Sequence, residues 1–253
     1  MMKKLAYDNN YLAYNQLINK KSDEHVVFLH GLRSDMEGKK AIFLEDFCKK
    51  HGFNYTKFDY FGHGNSSGEF FEGTIGTWYN NVITILNELV KKPAILIGSS
   101  MGGWLSLLAA IRKPESVKAL IGLAPAPDFT EELIWNLLPE EKKQELNNRG
   151  MINFGHNSCD HGYPISKNLI EEARNHLILE KTIDIHCPVI FIHGMDDEVV
   201  PYDYSIKLSE KIATNNLRII LQKGSDHRLS SESDLQLLES QLLDLKLNKF
   251  TSL

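Results

Sequence analysis

Residues 94–112 read AILIGSSMGGWLSLLAAIR and contain the pattern that decides the fold. The apolar run 94–97 predicts a buried strand, and 101–112 predicts a helix. Between them, 98–102 form a G-x-S-x-G pattern, which holds a serine on a sharp strand-to-helix turn where bulkier flanking residues would collide with their neighbours. The bare pattern occurs by chance, but with a strand before it and a helix after it we predict a serine nucleophile, Ser100.

On both sides of this segment, short β-branched or aromatic runs alternate with amphipathic stretches. This alternation is typical of a mostly parallel sheet with helices on both faces, so the predicted class is α/β. An Asp-Asn-Asn turn joins the runs 4–7 and 11–18, which predicts an antiparallel hairpin at the sheet edge. Further strands are predicted at 26–30, 55–60, 94–98, 117–124, 188–194 and 217–222, and helices at 39–51, 75–91, 101–112, 204–213 and 233–247.

The alternation lapses between about residues 125 and 186, beginning at a pair of prolines. We expect one domain over residues 1–253 with a small helical insertion at 125–186. The insertion either folds over one edge of the sheet as a lid or forms ordinary peripheral helices. Its parts are an amphipathic stretch at 131–146, a polar loop at 153–164 and a helix at 166–180.

A serine hydroxyl needs an imidazole to accept its proton and a carboxylate to orient that imidazole. Around such a turn the chain order is serine, acid, histidine, each at the carboxyl end of a strand. His227 follows the last predicted strand and is the predicted base. Asp196, Asp197 and Glu198 follow the strand 188–194, and their spacing leaves the choice of acid open. The other two are expected to cap the next helix.

Acyl transfer also needs hydrogen-bond donors for the developing oxyanion, and backbone N–H groups are a preorganised source. We predict that Met101, directly after the serine, supplies one. The second is expected from Leu32, in the loop that follows the strand 26–30. His30, in the same loop, is expected to be structural.

Two other motifs suggest a dinucleotide site and a metal site, but neither matches the pattern that such a site requires. The glycine-rich loop 62–68 has Ser67 where the last glycine of a dinucleotide-binding loop belongs, and no helix opens there. His156, Cys159, Asp160 and His161 match no standard zinc spacing. We therefore expect no cofactor and no metal. The remaining histidines, at 25, 51, 63, 176, 186 and 193, are predicted to be structural or surface residues.

Composition limits the other functional classes. The net charge of −5 gives no basic surplus for nucleic acid. No apolar run approaches the roughly 20 residues of a membrane-spanning helix, so no membrane span is expected. The start MMKKLAYDNN resembles neither a secretory signal nor a transit peptide, and three cysteines without CxxC spacing suit a reducing compartment. We therefore expect a cytoplasmic protein.

Several segments together resemble a known family. GSSMGGWLSLLAA, SDMEGKKAIFLEDFCKKHGFNYTKFDYFGHGNSSGEF, GTWYNNV, HCPVIFIHGMDDEVVPY and GSDHRLSSESDLQLL are similar to α/β-hydrolases of the mitochondrial palmitoyl-protein thioesterase group, which is also associated with acyl-glucuronide cleavage. The resemblance spans most of residues 28–238 and implies the α/β-hydrolase fold and hydrolysis of fatty acyl thioesters or esters. Its H-G-x-x-D-x-x-V-P pattern over 193–201 implies Asp197 as the acid. Residues 127–163 match least.

The resulting hypothesis is a serine hydrolase that cleaves acyl esters or thioesters of a small-molecule or acylated substrate through an acyl-Ser100 intermediate. The acyl chain is expected to lie between the insertion and the sheet edge. The alternative for the apolar residues there is plain core packing, which is the usual role of apolar residues at helical spacing. The alternatives are a peptidase or amide hydrolase with the same residues, and an inactive ligand-binding protein. The oligomeric state is not predicted. The predicted wall residues are Trp104, Leu133, Ile134, Trp135, Leu137 and Leu138.

Overall fold

A computed structural model describes residues 2–155 and 163–247. Its strands are β1 (Lys3–Tyr7), β2 (Asn10–Leu17), β3 (His25–Leu29), β4 (Asn54–Phe58), β5 (Ala94–Ser99), β6 (Val117–Leu123), β7 (Met151–Phe154), β8 (Tyr163–Ser166), β9 (Val189–Gly194) and β10 (Leu217–Gln222). Its α-helices are α1 (Lys39–His51), α2 (Ile75–Leu89), α3 (Met101–Arg112), α4 (Glu140–Arg149), α5 (Lys167–Ala173), α6 (Asp203–Lys211) and α7 (Glu232–Lys246).

Eight of the strands form one sheet in the order β1-β2-β4-β3-β5-β6-β9-β10. The pairs β1–β2 and β2–β4 are antiparallel, and every pair from β4 to β10 is parallel. The mostly parallel sheet and its antiparallel start at the edge confirm the predicted fold class. Because parallel strands end on the same side, the loops after β3, β5, β9 and β10 meet at one edge of the sheet.

Helices cover both faces of this sheet, which accounts for its continuously apolar central strands. One face packs against α1 and α7, which contribute the fully buried Leu44 and Leu242 to the core on this side of the sheet. The other packs against α2 and α3, where Trp78 and Trp104 are fully buried. The 3.6-residue period of the helices therefore places one apolar stripe of each on the core.

The insertion differs in detail from the prediction of helices joined by a polar loop. The amphipathic stretch is divided, because Pro139 separates the short turns at Thr130–Ile134 and Trp135–Leu137 from α4. Part of the predicted loop is extended instead, since β7 and β8 pair as a separate antiparallel sheet. His156, Cys159, Asp160 and His161 lie outside the described residues.

The insertion is tied to the helices on its face of the sheet. The Glu172 carboxylate accepts a hydrogen bond of 3.0 Å from the Gly76 N–H at the start of α2. The Trp104 indole N–H donates to the His176 carbonyl oxygen at 3.2 Å. These bonds hold α5 beside α2 and α3. Across the part of the chain that the structure describes, no helix has the length and apolar character that crossing a membrane requires.

Candidate active site

The turn between β5 and α3 holds Ser100 in a strained backbone conformation, with φ 54° and ψ −117°. Close backbone approach explains the flanking glycines. A Cβ added at Gly98 would lie 2.3 Å from the carbonyl oxygen of Gly102, and one at Gly102 would lie 2.1 Å from that of Leu29. The small residues thus let β3, β5 and α3 converge below the serine.

His227 lies between Ser100 and Asp197. Its Nε2 is 3.0 Å from Ser100 Oγ, and its Nδ1 is 2.7 Å from Asp197 Oδ2. Because a carboxylate only accepts, Nδ1 carries the proton and leaves Nε2 free to accept from the serine hydroxyl. The structure thus brings the three predicted residues into one hydrogen-bonded chain at the carboxyl edge of the sheet.

Asp197 is fixed by its own backbone neighbours. Its Oδ1 accepts from the N–H groups of Val199 and Val200 at 2.9 and 2.8 Å. Burial alone would raise the pKa of this carboxyl, but hydrogen bonds from His193 and His227 outweigh it and hold the pKa well below its usual range. Asp197 is therefore an anion placed to stabilise a positive charge on His227.

Geometry also distinguishes the three acidic residues among which spacing alone could not choose. Asp197 is buried, whereas Asp196 and Glu198 are exposed. The expectation that these two cap the next helix is wrong. That helix, α6, begins only at Asp203 and has Tyr202 at its N-cap position, because Pro201 follows the acidic turn.

The loop after β3 packs directly against the serine, as the predicted oxyanion site requires. A Cβ added at Gly31 would lie 3.4 Å from Ser100 Cβ, which places Leu32 beside the candidate nucleophile. Met101 is the first residue of α3, so its N–H has no acceptor within the helix. Leu32 and Met101 line the same pocket as Ser100, and their role as oxyanion donors stays a prediction.

Two histidines predicted to be structural or surface residues contact this machinery. Buried His193 places its Nε2 3.2 Å from Asp197 Oδ2, while its Nδ1 lies 2.7 Å from the Ser205 hydroxyl. His63 Nε2 accepts a hydrogen bond of 3.2 Å from the Arg33 N–H, directly after Leu32. Spacing could not identify these contacts. The available signal was that His193 lies at the end of a predicted strand and His63 follows one, both at this edge of the sheet.

An apolar pocket opens at Ser100 and, together with the solvent space at its mouth, has about 420 Å³ of empty volume. Leu133 and Ile134 line it, in agreement with two of the predicted wall residues. Sequence reasoning missed most of its other walls, because they come from several separate segments. These are Leu32, Met101, Ala126, Phe129, Phe154, Tyr163, Val199 and Val200.

The other four predicted wall residues are placed elsewhere. Trp104 is fully buried in the core, with its ring 5.8 Å from that of Phe129. Leu137 is 65% exposed, and Leu138 packs into the core cluster. Trp135 faces the cations of Lys143 and Arg174. The short turns over 130–137 replace a continuous helix, so apolar residues at helical spacing do not share one face here.

Comparison with known proteins agrees with this geometry. The family model described as serine aminopeptidase, S33 (Hydrolase_4) matches residues 20–151, just over half of the chain. The mitochondrial palmitoyl-protein thioesterase ABHD10 of Bos taurus is 40% identical over 235 residues, which are 92% of this chain and 76% of that protein. The chain belongs to the α/β-hydrolase family. It is a serine hydrolase that acts on ester or thioester bonds.

Solved structures of α/β-hydrolases support the same assignment. Mouse α/β-hydrolase domain-containing protein 10 superposes with a TM-score of 0.89 at 35% identity, covering 99% of this chain and all 100% of the mouse chain. A hydrolase from Agrobacterium vitis S4 gives a TM-score of 0.90 at 30% identity and covers 97% of each chain. The likeness therefore extends over the insertion as well as the sheet.

The expectation of a cytoplasmic protein is wrong. The ABHD10 relatives from cattle, orangutan and human are mitochondrial proteins, which points to mitochondria instead. The cysteine count favours a reducing compartment but cannot distinguish one reducing compartment from another.

Proposed function

We propose that this α/β-hydrolase removes fatty acyl groups from thiols and alcohols, with Ser100 as nucleophile, His227 as general base and acid, and Asp197 as the residue that orients His227. One observation supports this most directly. The Ser100–His227–Asp197 chain of hydrogen bonds, of 3.0 and 2.7 Å, opens onto a pocket with apolar walls. An acyl chain in that pocket would present its carbonyl carbon to Ser100 Oγ.

In the first half of the reaction, Ser100 Oγ attacks the carbonyl carbon while its proton passes to His227 Nε2. The oxyanion that forms would accept hydrogen bonds from the Met101 and Leu32 N–H groups. The C–S or C–O bond then breaks. His227 returns the proton to the departing sulfur or oxygen, which is released as a neutral thiol or alcohol. The acyl group remains on Ser100 as an ester.

In the second half, water takes the place of the leaving group. His227 Nε2 removes one proton from the water as its oxygen attacks the acyl-Ser100 carbonyl carbon. When that intermediate collapses, the proton returns to Ser100 Oγ and the fatty acid is released. The ionised Asp197 stabilises the positive charge on His227 in both halves of the reaction.

The acyl preference rests on the pocket and on the relatives. ABHD10 is named a palmitoyl-protein thioesterase. Of the described residues that line the pocket here, none carries a carboxylate or a cation. An alkyl chain is therefore favoured over a charged substituent on the acyl side of the scissile bond.

Hydrolysis of a ladder of acyl p-nitrophenyl esters and acyl thioesters tests the proposal. We expect turnover by the wild type and a loss of at least about 10³-fold in Ser100→Ala, because the three side chains act as a unit. Covalent labelling by a fluorophosphonate, present in the wild type and absent in Ser100→Ala, is the second readout. A much smaller loss would assign the attack to another residue.

Aminopeptidase substrates test the alternative that the matched family description suggests. A peptide N-terminal amine needs a carboxylate beside the scissile bond, and the described pocket walls provide none. We expect cleavage of the thioesters and no cleavage of matched aminoacyl p-nitroanilides. The reverse preference would favour the peptidase.

A further inference from the structure

Ser100 is bordered by two hollows of opposite character. One is the apolar pocket described above. The other is a cleft that, with the solvent space at its mouth, has about 1130 Å³ of empty volume and opens between the loop after β3, the start of α1 and the loop that carries His227. Ser100 and Leu32 line both hollows. A substrate held at Ser100 can therefore extend its acyl chain one way and its leaving group the other.

Cations dominate the charge of this cleft. Arg33, Lys39, Lys40 and Arg228 line it, with Asp35 as the one carboxylate among its described lining residues. Within the described part of the chain, no carboxylate lies within ion-pair distance of Arg33, Lys39 or Arg228. The whole chain has a net charge of −5, so this concentration of positive charge is local.

The start of α1 adds to the positive potential. The helix N-terminus carries a partial positive charge, and acidic residues usually occupy its first turn. Here the first turn contains Lys39 and Lys40 and no acidic residue, and Gly38 at the N-cap has no side chain to accept from the free N–H groups. Gly38, Lys39 and Lys40 all line the cleft, so the helix begins at its wall. The arrangement repels cations and suits a bound anion.

Lys40 is held in place at the cleft wall. Its ammonium donates hydrogen bonds to the Arg228 carbonyl oxygen and to the Ser230 hydroxyl. Burial lowers the pKa of Lys40 to about 8, against the opposing effect of Asp226 and Asp234. Asp234 is already bonded to the Ser225 hydroxyl and the Ser231 N–H. An anion in the cleft would stabilise the charged form of Lys40.

The geometry points to this cleft as the binding site for a phosphate group on the leaving thiol or alcohol. The inference rests on the proposed function and adds the chemical class of the leaving group. A phosphate is favoured over a single carboxylate because the cleft joins several cations to free N–H groups at a helix N-terminus, the combination that binds phosphate in proteins.

Matched thioesters test the inference. The substrates are octanoyl pantetheine, its 4′-phosphate and its 4′-hemisuccinate, which differ only in the group at the far end of the thiol. We expect the phosphate to raise kcat/KM about 10-fold over octanoyl pantetheine at low salt, and 0.5 M NaCl to remove most of that advantage. The hemisuccinate is expected to give a smaller advantage.

Charge reversal locates the effect. Lys39→Glu should reduce the ratio of kcat/KM for the phosphorylated over the unphosphorylated thioester by about 10-fold, and Lys39→Gln by about 3-fold. Lys20→Glu is the control, since it makes the same charge change on an exposed residue far from the cleft. An unchanged ratio in Lys39→Glu, or an equal change in Lys20→Glu, would overturn the assignment.

Binding separates this inference from the proposed reaction. Calorimetry on Ser100→Ala should show at least about 10-fold tighter binding of pantetheine 4′-phosphate than of pantetheine, whatever the turnover. Selective binding without hydrolysis of any thioester would reject the proposed reaction and support the phosphate site. Hydrolysis with no preference for phosphate in either measurement would support the proposed reaction and reject the phosphate site. Equal effects of phosphate and hemisuccinate would reject a phosphate-specific site.

Discussion

Asp197 contacts two imidazoles that belong to different parts of the fold. His227 comes from the loop after β10, and His193 is the penultimate residue of β9. His193 reaches the same carboxylate oxygen as His227, while the Ser205 hydroxyl holds its other nitrogen. His193 Nε2 also lies 2.9 Å from the Val200 carbonyl oxygen, so His193 joins Asp197 to the loop after β9. Removing charge from Asp197 should therefore affect the reaction more than removing it from the neighbouring acidic residues.

We expect Asp197→Asn to lower kcat for thioester hydrolysis by about 10³- to 10⁴-fold, because an amide that donates to His227 Nδ1 favours the wrong tautomer. Asp196→Asn is the matched control. Asp196 is adjacent and exposed, so its substitution should change kcat less than about 2-fold. Steady-state kinetics on one octanoyl thioester compares the two. Similar losses in both variants would contradict the assignment of Asp197.

At the level of elements, Asp128 anchors the insertion at its two ends. Its carboxylate accepts hydrogen bonds from the Ile178 and Leu179 N–H groups, the shortest being 2.8 Å. The residue is buried and has a φ of 57°, a backbone conformation that Asp and Asn adopt more readily than most residues. Burial raises the pKa of Asp128 to about 6, although these hydrogen bonds oppose the shift.

This raised pKa predicts how stability depends on pH. The folded chain binds the proton of the Asp128 carboxyl more tightly than the unfolded chain does, so the protonated form stabilises the fold. This contribution to the free energy of unfolding is complete below about pH 4 and is lost as the pH rises through 6. A side-chain amide at this position would keep the acceptor oxygen without the charge. Between pH 4 and pH 7.5, the free energy of unfolding of Asp128→Asn should therefore rise by about 2 to 3 kcal/mol relative to that of the wild type.

Urea denaturation at both pH values measures the change. The exposed Asp46→Asn variant controls for loss of one negative charge and should show no comparable gain. If Asp128→Asn instead loses stability relative to the wild type as the pH rises, the ionised carboxylate is the form that the insertion needs.

At the level of the whole molecule, the apolar pocket exists only because the insertion lies over the carboxyl edge of the sheet. Leu133 comes from the insertion, Val200 from the loop after β9 and Leu32 from the loop after β3. Among the described residues, the cationic cleft shares only Ser100 and Leu32 with this pocket and has no lining residue from the insertion. Chain-length selectivity should therefore depend on the insertion, and the reaction itself on the sheet edge.

Filling the pocket tests this separation. Leu133→Trp should reduce kcat/KM for octanoyl and longer esters by about 10-fold and leave acetyl ester hydrolysis within about 2-fold, because the added ring occupies space that only a long chain needs. Leu137→Trp is the matched control, since Leu137 is 65% exposed and does not line the pocket. Equal loss on short and long esters would indicate a general disturbance instead.

The sequence determined the features that depend on local patterns. Periodicity located the strands and helices of the sheet, and α1, α3 and β10 begin and end at the predicted residues. The glycines around Ser100 specified its turn, because only residues without a side chain permit so close a backbone approach. Chain order and strand ends were enough to select His227, which the structure places 3.0 Å from Ser100.

Tertiary structure decided what depends on contacts between distant segments. Spacing alone did not separate Asp197 from Asp196 and Glu198, but its burial against His193 and His227 does. The pocket walls at Phe129 and Tyr163 have no shared period, because they come from separate parts of an insertion that folds back on itself. A local pattern records which face of a strand or helix is apolar. Which faces meet is settled only when the whole chain packs.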